Sequence, residues 1–430
     1  MSTTGGQTLV EKIVARAAGK SRVGPGEIVW VEPDLTTTPE VSYPAYVQRL
    51  RGIGVTKLKH PERIVVAIDH EVPVHSAAGA DRNRLTRQLA REQQVGHFFD
   101  GEGITHPLLV ERGVARPGMF IAGADTHTSG LGAIGALSIP FGMEVTMSMA
   151  TGRIWLKVPG TIRVTVTGTL RPGVGARDIV LAAMRLIGPD DASDNVVEYM
   201  GETVERLSVP ERMTLSGLSV DMGADAGIVA ADALALQYLQ DSAGVTDVQE
   251  LRGDSDASYA MSLQIDANTL EPQVSIPPSP THVRSVTQLP RIAIQHAYIG
   301  SCASGNLPEL RAAAAILKGR KVHPDVQLLV IPATQRVYEE AMAQGLLGIF
   351  MAAGARISAS TCGPCFGGLA QLAAGEVRIS TSTRNDPGRM GSPQAQIYLA
   401  SAMTVAASAL AGYIADARGA TQPRHEEVAA

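Results

Sequence analysis

Cysteine is scarce in this 430-residue chain: there are three. So small a number excludes a disulfide-stapled scaffold and fits a reducing compartment, so a cytoplasmic location is expected. Aromatic residues make up 4% and charged residues 18%, with a net charge of −5. That balance, without basic clusters, gives no electrostatic reason to bind nucleic acid or a membrane surface. No stretch approaches the ~18 unbroken apolar residues of a membrane span. The start, Met1-Ser2-Thr3-Thr4-Gly5-Gly6, lacks the basic-then-apolar pattern of a secretory signal. No internal repeat is evident.

What is present is a 45% hydrophobic chain with 44 glycines, too long for one ordinary core. Helical spacing runs from Thr8 to Ala18, and Glu27 to Val31 reads as a strand. A strand at Arg63–Ile68 ends on Asp69-His70, and another at Met119–Ala122 runs into Gly123-Ala124-Asp125-Thr126-His127. In parallel α/β sheets such strand ends carry the ligand-handling side chains. Between them a glycine-rich loop presents His106, and Gly130 to Gly152 reads as one tightly packed helix. From about residue 160 the pattern changes: Thr161–Thr167 alternates with period two, and Ala176–Ile187 is helical. Proline-rich Glu271–Pro290 resembles an extended linker, after which strands and helices alternate: Arg291–Ala297, Leu307–Leu317, Val326–Ile331 and Gln335–Gln344. The expected domains are 1–160, 161–285 and 286–420, with a flexible tail over 421–430.

The three cysteines fall in two motifs, Gly300-Ser301-Cys302 and Thr361-Cys362-Gly363-Pro364-Cys365-Phe366-Gly367-Gly368. A thioredoxin-like pair would follow an early βαβ unit, whereas this Cys-x-x-Cys comes late. Three separately buried thiols, or a zinc site completed by His296, remain open. The third possibility is a 4Fe–4S cluster, which takes four thiolates when fully protein-bound. With three, one iron is left free to meet water or substrate.

Asp69-His70, His106, Asp125-Thr126-His127, Gly300-Ser301-Cys302, Cys362-x-x-Cys365 and Arg384-Asn385-x-x-Gly388-Arg389 occur in the order and approximate spacing of the aconitase superfamily. Within it the chain resembles most the large subunit of 3-isopropylmalate dehydratase, from Gly6-Gln7-Thr8-Leu9 to Tyr398-Leu399-Ala400-Ser401. The resemblance implies three aconitase-like α/β domains with mostly parallel sheets around a central cluster site, lacking the swivelling fourth domain. It implies a 4Fe–4S cluster on Cys302, Cys362 and Cys365. Dehydration and rehydration of a small hydroxy-carboxylate would follow, with the open iron as Lewis acid. Asp69, His70, His106, Asp125 and His127 become the catalytic candidates. Thr126, Arg384, Arg389 and Asp221 become the substrate-binding ones, arginine being suited to carboxylate by its planar fork. Glu198 is assigned a structural role. A separate small subunit would carry the missing domain, and the chain alone would be inactive.

Several positions depart from the family pattern. Ala45 stands where a substrate-contacting glutamine is usual, Gly217 and Thr383 replace asparagines, and Asp221 replaces a glutamate. Ser301-Cys302-Ala303-Ser304 replaces Ser-Cys-Thr-Asn, Thr126 replaces a serine, and Pro107 replaces a glutamine. Lost polar partners alter substrate choice more than a lost methylene does. A related hydratase for maleate, citraconate or a dimethylmalate-like acid therefore stays open, as does a non-catalytic cluster-binding regulator or scaffold.

Overall fold

The computed structural model describes residues 5–188 and 191–420; the tail expected over 421–430 lies outside them. A small antiparallel ribbon joins β1 (Ile28–Val31) to β7 (Ile154–Lys157). Between them in sequence, β2 (Leu35–Pro39), β3 (Ile64–Ile68), β4 (His97–Asp100), β5 (Phe120–Gly123) and β6 (Leu137–Pro140) form a parallel sheet in the order β4-β3-β2-β5-β6. Both faces of β3 are covered: Val65 packs with Leu109 and Ile121, whereas Ile64 and Val66 pack with Tyr43 and Val47 of the helix Tyr43–Gly52. A strand buried on two faces reads as an unbroken apolar run, which is why Ile64–Ile68 contains no polar residue.

The second sheet holds β8 (Gly160–Thr167), β9 (Asn195–Met200), β10 (Ala226–Val229) and β11 (Met261–Asp266), all parallel. The third contains β12 (Gln273–Ser275), β13 (Val283–Ser285), β14 (His296–Ile299), β15 (Gln327–Val330), β16 (Arg356–Ile357), β17 (Val377–Ser380) and β18 (Gln396–Leu399). Its order is β13-β12-β18-β17-β14-β15-β16, parallel from β18 to β16 and antiparallel at the β12 and β13 edge. The architecture is α/β with mostly parallel sheets, as the resemblance implies. No helix among the described residues is long and apolar enough to cross a membrane.

Three expectations about local structure fail. The strand expected over Arg291–Ala297 lies at His296–Ile299 instead. The proline-rich 271–290 stretch is no linker: it supplies β12 and β13, with Pro277, Pro278 and Pro280 at the turn between them. Asp178, on the helix Ala176–Ile187, accepts the Gln273 N–H at 2.8 Å and fixes that edge. Residues 130–152 are not one helix either. They form a 3-10 helix over Thr126–Ile134, then β6, then the helix Val145–Thr151. The glycines serve close packing: a Cβ on Gly132 would collide with the Gly227 carbonyl, and Gly135 takes φ +73°.

Candidate active site

The carboxyl ends of β2, β3 and β5 meet those of β14, β16 and β17, and the side chains singled out in the sequence gather there. β2 ends on Glu40, whose fully buried carboxylate accepts the backbone N–H groups of His70 at 2.8 Å, Glu71 at 2.9 Å and Asp69 at 3.3 Å. This fixes the turn after β3. Asp69 Oδ1 lies 2.7 Å from His70 Nδ1, while Asp69 Oδ2 accepts both the backbone N–H and the hydroxyl of Thr105, at 2.8 and 2.6 Å. With Asp69 on Nδ1, His70 Nε2 faces Asp125 Oδ2 at 3.7 Å. Burial opposes charge on this ring. The Asp69 charge and the hydrogen bonds to Asp125, Asp69 and Glu40 outweigh it and hold the His70 pKa well above the ordinary range.

Asp125 is the hub of the second half. It caps the 3-10 helix Thr126–Ile134 by accepting the His127 N–H at 2.8 Å, and the same oxygen lies 2.9 Å from His106 Nε2. Burial would raise its pKa, but the hydrogen bonds with His106 and His70 drive it well below the carboxylate range. His127 Nε2 lies 3.1 Å from Asp221 Oδ2, and Arg384 donates from Nε to Asp221 Oδ1 at 3.1 Å. Burial lowers the His127 pKa and the Asp221 charge more than restores it, for a net rise. Asp221 comes from the 3-10 turn Ser219–Met222 after the helix Val209–Leu218, so the second sheet's helices also reach the site. Thr126 begins the 3-10 helix and is half-buried.

The three thiols converge on the same place. Cys302 follows β14 through Ser301, whose φ of +76° is unusual for a side-chain-bearing residue. Ser301 Oγ donates to the Thr381 carbonyl at 2.9 Å, and Thr381 Oγ1 both accepts from Gly300 N–H and donates to Gly300 O, at 2.8 and 2.9 Å. The Cys362 turn is tied directly to the Asp69–His70 turn: the Cys362 N–H and the Thr361 hydroxyl both donate to the Asp69 carbonyl at 2.8 Å. Phe366 stands edge-on to His70 with ring centroids 5.1 Å apart. Arg389 Nε donates to the Cys365 carbonyl at 3.0 Å.

Electrostatically the thiols form one set. A hydrogen bond from Cys362, then the Arg389 charge and the Thr383 hydroxyl, pull the Cys365 thiol well below its usual pKa against the cost of burial. Burial and the Cys365 charge push Cys302 up. A single zinc, with Zn–S bonds of about 2.3 Å, would need its sulfurs within about 4 Å of one another. The three sulfurs do not gather so tightly; among the described residues only Glu40, Asp69 and His70 bring ligand atoms within 4.8 Å of one another. A wider set, with Cys365 buried, Cys302 and Cys362 half-buried and the Thr383 hydroxyl 3.4 Å from the Cys365 sulfur, suits a polynuclear iron–sulfur cluster. His296 stands at the far end of β14 and faces Glu376 at 3.1 Å, away from the thiols.

Sequence reasoning missed four residues that build this site. Glu40, Thr105 and Thr361 fix the turns just described. Arg177, 1% exposed, donates to the carbonyls of Ser382 and Thr381, shaping the loop that carries Arg384. Glu40 had a signal, a carboxylate just after a strand. Arg177 had none, lying some two hundred residues from its partners.

Comparison with known proteins agrees with this geometry. The aconitase family (aconitate hydratase) matches residues 11–291 and 285–412. The chain is 42% identical to 3-isopropylmalate dehydratase large subunit 1 of Methanopyrus kandleri, over 96% of this chain and 99% of that protein. It is 41% identical to the 3-isopropylmalate dehydratase large subunit of Moorella thermoacetica, over 95% and 98% of the two chains. It is also 41% identical to the large subunit 1 of Pyrococcus furiosus, over 96% and 98%. With matches spanning nearly its whole length, the chain belongs to the aconitase family, hydro-lyases whose cofactor is a 4Fe–4S cluster.

Proposed function

We propose that this chain is the cluster-bearing subunit of a cytoplasmic hydro-lyase acting on a 3-isopropylmalate-type hydroxy acid, with a separate small subunit completing the site. The reaction removes a hydroxyl from one carbon and a proton from its neighbour, leaving an alkene and water, and runs in reverse to move the hydroxyl. Cys302, Cys362 and Cys365 would hold the cluster, which when bound supplies an electron-poor iron corner that makes hydroxide a tolerable leaving group.

The chain's own residues handle the protons and the carboxylates. His70, protonated because Asp69 and Asp125 raise its pKa, delivers a proton from Nε2 to the departing hydroxyl oxygen. Asp69 on Nδ1 holds the ring and stabilises its charge. His106 and His127, bound to Asp125 and Asp221, line the same cleft as donors. Arg384 uses Nε on Asp221, which leaves its terminal nitrogens to take a substrate carboxylate. Arg389 offsets thiolate charge beside Cys365. The base that takes the carbon-bound proton would come from the small subunit.

The observation that carries this reading is the shared peptide at Asp69: its side chain orients His70 while its carbonyl anchors the Cys362 turn. The experiment is anaerobic reconstitution with iron and sulfide, then alkene absorbance with isopropylmalate, citraconate, maleate and dimethylmalate, with and without a small subunit encoded nearby. Turnover of isopropylmalate only with both subunits supports the proposal. Full turnover by the lone chain, or none on any acid with the cluster loaded, rejects it. The altered positions Gly217, Ala303 and Thr383, all buried, favour a second reading in which another acid in that panel is preferred.

A further inference from the structure

The chain has two tryptophans, and both stand on one outer surface. Trp30 of β1 lies directly opposite Trp155 of β7, and Ile28 lies opposite Lys157. The inward positions of this ribbon, Val29, Val31, Ile154 and Leu156, are packed into the core. The outward ones are not: Ile28 is 71% exposed, Trp30 55% and Trp155 47%. Neither edge of the ribbon carries a further strand among the described residues. Beside it lies a cavity of about 600 Å³ bordered by Trp30, Arg16, Glu32, Asp34, Arg63 and Arg153. Paired aromatics beside a charged concavity, in a chain only 4% aromatic, are unlike ordinary scattered surface hydrophobics.

From this surface we infer that two copies of the chain meet face to face on the β1–β7 ribbon. One observation selects a second copy, and another sets the small subunit aside. The first is charge: the cations around the tryptophans come with carboxylates, as Arg153–Glu32 at 2.6 Å, Lys20–Glu27 at 3.4 Å and Arg16–Asp34. A two-fold contact places the same patch on both partners, so it must be self-complementary, and a rim of mixed sign meets its own image without net repulsion. The second is place. Asp34 and Arg63 precede β2 and β3, so the ribbon lies at the amino ends of the strands whose carboxyl ends hold Glu40, Asp69 and His70. A subunit that must reach the cluster would sit at the opposite end, leaving this surface for another occupant. The inference is independent of which acid the enzyme takes.

The two tryptophans report on their own contact. In the purified full-length chain, tryptophan emission is read across a dilution series alongside the mass in solution. The expected result is a mass of about 90 kDa, twice 45.1 kDa, with blue-shifted emission that moves red on dilution. Ile28→Glu keeps both tryptophans and alters a residue with no core contact to lose. It should weaken dimerisation at least about tenfold, give red-shifted emission at concentrations where the parent is paired, and leave far-UV circular dichroism unchanged. A monomer with dilution-independent emission overturns the inference. So does a dimer that survives Ile28→Glu, which would place the contact elsewhere. So does an emission shift produced only by adding the small subunit, which would make the ribbon that subunit's seat.

Discussion

Thr383 places its hydroxyl 3.4 Å from the sulfur of Cys365. The resemblance implies asparagine at this position, so on the proposed cluster site a shorter donor stands in place of an amide. Hydrogen bonds to cluster sulfurs tune reduction potential and cluster retention. Thr383→Val keeps the shape and removes the donor. It should lower the potential of the reconstituted cluster and cut activity about tenfold, whereas Thr383→Asn should restore both. Potentiometry on the three proteins checks this; a valine variant indistinguishable from the parent would show the contact to be idle.

Glu40 is the second point of leverage, because one buried carboxylate serves three successive N–H groups. Glu40→Gln turns one acceptor oxygen into a donor facing other donors. The cost of such a buried mismatch is about 1–3 kcal/mol. The same change frees the turn that aims His70. A lower melting temperature together with a kcat loss of tenfold or more, at near-constant KM, is expected. A variant that loses stability while retaining kcat would confine Glu40 to the fold.

How much of this was readable in the sequence depended on how local the cause was. Ala176–Ile187 and Leu307–Leu317 fold over the expected residues because their apolar spacing and first-turn signals are contained within each segment. Asp69, His70, Asp125 and His127 were visible because strand ends advertise themselves. Residues 130–152 misled because glycine-rich periodicity does not distinguish a helix from a 3-10 turn pressed against the Gly227 backbone. The proline stretch misled because the partners of β12 and β13 include β18, more than a hundred residues later. Glu40 and Arg177 act on backbone groups, which no side-chain motif encodes.

Asp221 joins His127 to Arg384, so its removal separates two functions. Asp221→Asn keeps the size and an acceptor for Arg384 but withdraws the charge that raises the His127 pKa. With His127 as a proton donor, kcat should fall about a hundredfold or more, and the alkaline limb of the pH profile, where the donor loses its proton, should move to lower pH. Arg384→Lys should instead raise KM more than it lowers kcat, because the bidentate fork is lost and the charge is kept. Steady-state kinetics across pH distinguish the two, and identical profiles would argue against the division of labour.

The last prediction concerns Glu111, at the end of the helix Thr105–Glu111 that also carries His106. Its carboxyl is buried and accepts the Thr334 hydroxyl at 2.9 Å, and burial pushes its pKa up from 4.5 to about 7. The folded chain therefore holds a proton that the unfolded chain has released between those values, so this group's contribution to stability falls as pH rises through the window. Below about pH 4.5 there is no penalty; above about 7 it is complete, on the order of 3 kcal/mol at 1.36 kcal/mol per pKa unit. Glutamine mimics the neutral acid and keeps an oxygen for Thr334. Glu111→Gln should melt with the parent at pH 5 and above it at pH 8. Asp178 and Glu198, also raised to about 7, and Glu309, raised to about 8, keep both curves sloping downward, so the readout is the difference between the proteins. A difference that does not grow with pH would mean that Glu111 is ionised in the folded state, with a cation or water close enough to hold it so.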